Sequence, residues 1–315
     1  MQTLSQPNAT TRFLETYDVE AYVGALPGVD IKAVRTGPGT GPNLTRTTMF
    51  DQVTLSSSVI QFPMLGSGLI GENTVLIILI KTAPPGSRWS GIDLEPDRVM
   101  LYGQGTPHTG ITPAGFSYSF VAVDVRAIEE TADQLEFNVN LPDKGRARML
   151  DLTPKVRSLT RTLEQASRPL DSAEFPETGR LDALHAAVAA LSAETAIHEA
   201  GAGAKIDSRH IAHVCIEYAE AIERVPTIPE MCLAAHVSER RLRHAFNDVF
   251  GVPPVRYFNL RSLTEARHEL RGAEYPERTV SGIASDLGFH NFGRFARQYR
   301  ATFGELPSDT LRTNR

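Results

Sequence analysis

Ser238-Glu239-Arg240-Arg241-Leu242-Arg243-His244-Ala245-Phe246-Asn247-Asp248-Val249-Phe250-Gly251 and Asn291-Phe292-Gly293-Arg294-Phe295-Ala296-Arg297-Gln298-Tyr299-Arg300-Ala301-Thr302-Phe303-Gly304 share one design. The first opens on Ser238, placed to cap a helix N-terminus, the helix of the second starts at His290-Asn291, and both close on Phe-Gly, where glycine can stop a helix. In the first stretch Leu242, Phe246 and Val249 fall on one face. Arg240, Arg243, His244 and Asn247 share the other, at i, i+3, i+4, i+7. In the second, Phe292, Phe295 and Tyr299 are expected to pack inward, with Asn291, Arg294, Arg297 and Gln298 outward. No acidic residue occurs between Gly288 and Gly304. A short apolar helix precedes each stretch: Met231, Leu233 and Ala234 before the break at 235–237, and Val280, Ile283, Ala284 and Leu287 before Gly288-Phe289. Each pair reads as a helix-turn-helix whose second helix shows arginine and amide side chains, the types that read base edges in a major groove.

Between the units, Phe258, Leu263, Ala266 and Leu270 mark one helix from about Val255 to Leu270. At ~1.5 Å per residue it is roughly 25 Å long. It can hold two reading helices near the ~34 Å separation of successive major grooves. Upstream, Ile211, Val214, Cys215, Tyr218 and Ile222 make one more amphipathic face, ended before Pro226. From Ser208 onward there are fifteen arginines, thirteen carboxylates and no lysine, whereas the preceding 207 residues hold 17 basic and 24 acidic side chains. Guanidinium forks suit two-point recognition of phosphate or guanine edges.

The first part of the chain has another texture. Glycine and proline clusters at 37–42, 66–68, 84–86 and 103–107 punctuate β-rich runs at Met49–Leu55, Val59–Phe62, Thr74–Ile80, Arg98–Tyr102 and Phe116–Val125. That spacing predicts an antiparallel barrel or sandwich, with Val75 to Ile80 a central strand buried on both faces. Past Leu141-Pro142-Asp143, Val156, Leu159, Leu163 and Ala166 repeat at helical spacing, as do Leu181, Leu184, Ala187, Val188 and Leu191. These helices either pair with a second copy or cover the β domain. Gly201 to Ala204 reads as a joint. The expected fold is thus α+β and multidomain: β structure over 1–150, a helical linker over 151–206, and an all-α domain with two helix-turn-helix units over 207–315.

From about Ile211 to Pro307 the chain resembles the AraC/XylS transcriptional regulators. Ile283 to Phe289, Phe292 to Tyr299, Phe303-Gly304 and Pro307 carry the resemblance. So do Val237-Ser238, Leu242, Phe246, Phe250-Gly251, Pro254, Tyr257, Arg261, Ala266 and Leu270. It covers roughly a hundred of 315 residues. It implies a sequence-specific DNA-binding regulator, more often an activator, with a cupin-like N-terminal barrel for a small-molecule effector and dimerisation. The implied partners are double-stranded DNA, an effector, a second copy as homodimer, and RNA polymerase. Base-reading positions fall on Arg240, Arg243 and His244, then on Gly293, Arg294, Arg297 and Gln298. Ser238, Asn247 and Asn291 flank them, and Arg241 and Arg300 are read as phosphate contacts or as solvated side chains. Ser308-Asp309-Thr310 stands where the family often has an aromatic residue and an arginine.

Other readings carry less. A β-barrel enzyme with a helical accessory lacks ligands, since His108 is the single histidine before residue 180. A ligand-independent repressor leaves the large acidic β domain unexplained. His210, His213 and Cys215 lack further ligands for a metal. No cofactor or catalytic group is expected. Gly37-x-Gly39-x-Gly41 is a loop, and Gly66-Ser67-Gly68 lacks the nucleophile-elbow context. Arg88, Trp89, Tyr102 and His108 are candidates for lining an effector pocket. Two cysteines, no signal-like start and no apolar run longer than six residues predict a cytosolic protein with no membrane span.

Overall fold

The computed structural model describes residues 10–150, 161, 179–192, 197–199, 204–273 and 278–312. Among them, thirteen strands form two antiparallel sheets. The larger joins β1 (Thr10–Thr16), β3 (Asn43–Phe50), β4 (Val53–Ile60), β6 (Thr74–Thr82), β9 (Arg98–Tyr102), β11 (Phe116–Asp124), β12 (Ala147–Leu150) and β13 (Ile197–Glu199), in the order β1-β3-β4-β11-β6-β9-β12-β13. The smaller joins β2 (Val29–Arg35), β5 (Met64–Ile70), β7 (Arg88–Trp89), β8 (Ile92–Asp93) and β10 (Pro107–Thr112), in the order β2-β5-β10-β7-β8.

Strand β6 shows how the layers arise. Leu76, Ile78 and Ile80 face the smaller sheet and share a core with Phe62, Trp89, Met100, Phe116 and Phe120. Val75, Ile77 and Leu79 face the other way, onto helices Val125–Gln134 and Gly179–Leu191. The run is therefore apolar on both faces, as expected of a central strand. The described linker helix lies over the sheet through Leu184, Ala187, Val188 and Leu191, while Leu181 is exposed. Covering the sheet is thus its observed role. The helix expected around Val156 to Ala166 and the joint at 201–203 lie outside the described residues.

Three expectations are corrected. The sheets do not close into a barrel: β5 and β6 belong to different sheets, so the domain is an open two-sheet structure. The run Met49–Leu55 is not one strand but the tip of the β3–β4 hairpin, turning at Asp51-Gln52. Gln52 takes a positive φ there, a conformation that β-propensity cannot signal. Gly66-Ser67-Gly68 is not a turn but the middle of β5. A Cβ on Gly68 would strike the Asp30 carbonyl of β2, so glycine here permits close strand approach.

The outer face of the smaller sheet carries the helical half. Val34 and Leu65, with Ile111 beside them, join a core with Ile211, Cys215, Phe246, Phe250, Tyr257 and Phe258. Helix Pro254–Gly272 serves two cores. Its Tyr257, Phe258 and Leu260 belong to this one; Leu263, Ala266 and Leu270 belong to the next, with Ile283, Phe295, Tyr299 and Phe303. One rod thus supports both helix-turn-helix units.

Candidate nucleic-acid interface

The two units are built alike. Helix Glu239–Phe250 is capped by Ser238, whose Oγ accepts from the Arg241 amide at 3.3 Å. Helix Phe292–Phe303 is capped by Asn291, whose Oδ1 accepts from the Arg294 amide at 2.9 Å. Both helices have twelve residues and end on a left-handed glycine, Gly251 at φ 67° and Gly304 at φ 82°. An L side chain is disfavoured at such φ, which explains the repeated Phe-Gly. The short first helices are Ile228–Ala234 and Val280–Asp286. Thr227 and Glu230 form a capping box on the former. Arg224 meets Glu230 at 2.6 Å, and its hydrogen bond, with those from Thr227, holds the Glu230 carboxyl at about 2.

Phe246 and Tyr299 are fully buried, and the polar faces look out. Ser238, Arg240, Arg243, His244, Asn247, Asn291, Gly293, Arg294, Arg297 and Arg300 are all exposed, and Arg241 is half-buried. No guanidinium of this set is folded into the interior. The environments still differ. Arg243 lies along its own helix, donating to Glu239 Oε1 at 2.9 and 2.6 Å. Arg297 Nε donates to the Gly293 carbonyl at 3.4 Å.

Two site expectations change. Phe292 is 47% exposed, not packed inward. As the first residue of its helix it projects beyond the facing helices, because side chains lean toward the N-terminus. Gln298 is half-buried and accepts from Asn259 Nδ2 of the connecting helix at 3.5 Å, so it borders the packed stripe.

In the β domain, Trp89 and His108 border an apolar cavity of ≈50 Å³ between the sheets, with Tyr22 and Tyr118 at its wall. Apolar cavities that admit benzene are roughly 150 Å³, so this one suits only water-sized guests as it stands. Tyr102 lies behind it, its Oη 3.0 Å from His108 Nδ1. Arg88 points elsewhere and pairs with Asp93 at 2.6 Å. Burial pushes the His108 imidazole down to about 4. A histidine with a folded pKa below its unfolded value of 6.5 contributes stability above pH 6.5, which is lost as pH falls toward 4. Between pH 7 and pH 5, urea unfolding of His108→Gln should therefore lose about 2 kcal/mol less than the parent does. Equal pH sensitivity of the two proteins would contradict a buried neutral His108.

Missed by sequence reasoning is the junction of the two halves. Lys32 of β2 meets Glu220 at 2.6 Å, and Arg261 lies 3.8 Å from the same carboxylate. Tyr257 Oη and Ser67 Oγ are 3.4 Å apart. These residues stand at or beside a cleft of ≈530 Å³ between β2 and the connecting helix. No local pattern announces such pairs, since the partners are far apart in sequence. Both cysteines are free, with Cys215 buried. No described helix is long and apolar enough to cross a membrane.

Comparison with known proteins bears first on the helical half, where a helix-turn-helix domain family matches residues 231–313. The XylDLEGF operon transcriptional activator of Pseudomonas putida is 39% identical over 93 residues, which is 30% of this chain and 29% of that protein. A probable thc operon regulatory protein of Rhodococcus erythropolis is 35% identical over 104 residues, 33% and 31% of the two chains. The chain thus spans under a third of the length of these curated relatives. The solved structure of a probable AraC family transcriptional regulator from Rhodopseudomonas palustris is 35% identical, covering 33% of this chain and 97% of that one with a TM-score of 0.32. With the paired helix-turn-helix units on one connecting helix, the domain match across them and these curated relatives, residues 231–313 form a helix-turn-helix domain of the AraC/XylS type.

Proposed function

We propose that the protein is a sequence-specific transcriptional regulator of the activator type, working in the cytoplasm as a homodimer and engaging RNA polymerase, with no catalytic step of its own. Residues 207–315 bind DNA and residues 1–150 respond to a small molecule, with 151–206 between them. The observation that carries this reading is the pair of matched helices with exposed arginines, Arg240 and Arg243 on one and Arg294 and Arg297 on the other. Both helices are fixed to the same buried rod. The curated relatives, named as an operon activator and an operon regulator, support the same class. Each arginine presents a planar fork of donors that matches guanine O6 and N7 or a phosphate. The cleft of ≈530 Å³ is within the ~300–1,000 Å³ of small-molecule sites, and a guest there would touch both halves.

The test is genome-wide mapping of sites bound by the intact protein, followed by footprinting. Two protected major-groove segments about one helical turn apart are expected. A single protected segment, or sequence-independent coverage, would refute the two-helix reading.

Glu239 supplies a finer test. It places a negative charge beside the first reading face and occupies Arg243. Glu239→Gln should free that guanidinium and tighten operator binding several-fold at low salt, read by titration with labelled DNA. Weaker binding would show instead that Glu239 holds Arg243 in its reading pose.

A further inference from the structure

Where the C-terminal half of the connecting helix meets the β domain, three guanidiniums and two carboxylates share one layer. Arg267, 7% exposed, donates Nη1 to the Tyr17 carbonyl at 2.8 Å and Nη2 to Glu305 Oε1 at 3.0 Å. Arg271 Nη1 lies 3.4 Å from Asp18 Oδ2. Arg35, at the end of β2 and 4% exposed, has no carboxylate within ion-pair distance among the described residues. Its Nε donates to the Gly37 carbonyl at 2.9 Å, and its guanidinium carbon lies 4.4 Å from the Phe62 ring centroid and 5.8 Å from that of Phe303. Arg267 lies 4.8 Å from the same Phe303 ring. Burial, and then the charge of Arg267, lowers the Arg35 pKa to about 10. The layer therefore holds one more cation than carboxylate, and a buried charge without a counter-charge is unfavourable.

Two donors are left over beside one space. Arg35 Nη1 and Arg267 Nε are buried and have no acceptor among the described residues. Both side chains line one cavity of ≈10 Å³, shared with Tyr17, Asp18, Thr264 and Phe303. That is about the room one water-sized sphere needs. Asp18 is already committed: its Oδ1 accepts from the Glu20 and Ala21 amides and its Oδ2 faces Arg271. A guest here meets two charged donors, so a species that accepts hydrogen bonds and carries a negative charge fits better than a neutral one.

We propose that this cavity binds one halide-sized monovalent anion between Arg35 and Arg267, and that the ion latches the β domain onto the DNA-binding half. The latch acts on the second unit. Phe303 ends its reading helix and Glu305 follows it, whereas Arg35 and Tyr17 belong to the β domain. The anion stabilises the docked arrangement by mass action on that state alone. The inference rests on the junction and not on the DNA-reading assignment.

The test uses the full chain. Its thermal melting is followed in sodium chloride, sodium bromide and sodium gluconate at matched ionic strength. The melting temperature is expected to rise by several degrees, saturably, with chloride or bromide over gluconate, and to lose that difference in Arg35→Gln. Crystals of the unaltered protein grown in bromide should show an anomalous peak between Arg35 and Arg267, an outcome independent of whether the variant folds. Equal melting of the parent in all three salts overturns the proposal. So does an undiminished halide effect in Arg35→Gln, or a bromide data set with only a water between the two guanidiniums.

Discussion

Replacing Arg294 or Arg297 by alanine is expected to weaken operator binding by about 1–3 kcal/mol in each case, the range for a lost base contact. That corresponds to a Kd raised roughly 5- to 150-fold. Both side chains sit on the exposed face of helix Phe292–Phe303, and neither belongs to the core formed there by Phe295, Tyr299 and Phe303. Thermal melting should therefore barely move. The two losses separate base reading from general attraction. A lost base contact relaxes sequence preference at one position, whereas a lost phosphate contact weakens all sequences alike and lowers the salt dependence. Unchanged operator affinity in both variants would remove this helix from the interface.

The second large effect is on stability. Phe246→Ala should cost about 3–5 kcal/mol, the usual range for a large side chain removed from a packed core. Phe246 is fully buried, with its ring centroid 5.7 Å from those of Phe250 and Tyr257 and 5.9 Å from that of Phe258. Its core also takes in Val34 and Leu65 of the smaller sheet, so the cavity would open beside the domain junction. Urea unfolding of the full chain, followed by far-ultraviolet circular dichroism, reads the loss as a lower midpoint. A loss under about 1 kcal/mol would mean that this aromatic cluster is not the support of the first unit.

Much of the interface is legible in the sequence because its signals are local. Ser238 caps the first helix, Gly251 and Gly304 end the two, and the apolar spacing between assigns the buried faces. Each of these features depends on residues within a few turns of one another, and so survives in a one-dimensional reading. Phe292 and Gln298 depart from it because their positions depend on where the neighbouring helix stops and on what it presents. The β domain is harder to read. The turn at Asp51-Gln52 lacks glycine and proline, and Gly66-Ser67-Gly68 resembles a turn although it lies within β5, where Gly68 serves the close passage of β2.

Near neighbours along the chain were enough to set the paired helix-turn-helix units, the rod between them and the double-sided burial of Val75 to Ile80, because periodicity and capping act over a few residues. Long-range packing had to settle that the sheets stay open, that the described linker helix covers one of them, and that Arg35, Arg267 and Arg271 gather at the junction. The difference is one of range. The layer at the junction draws on segments up to hundreds of residues apart, and folding is what brings Tyr17, Arg35 and Phe303 to a single cavity.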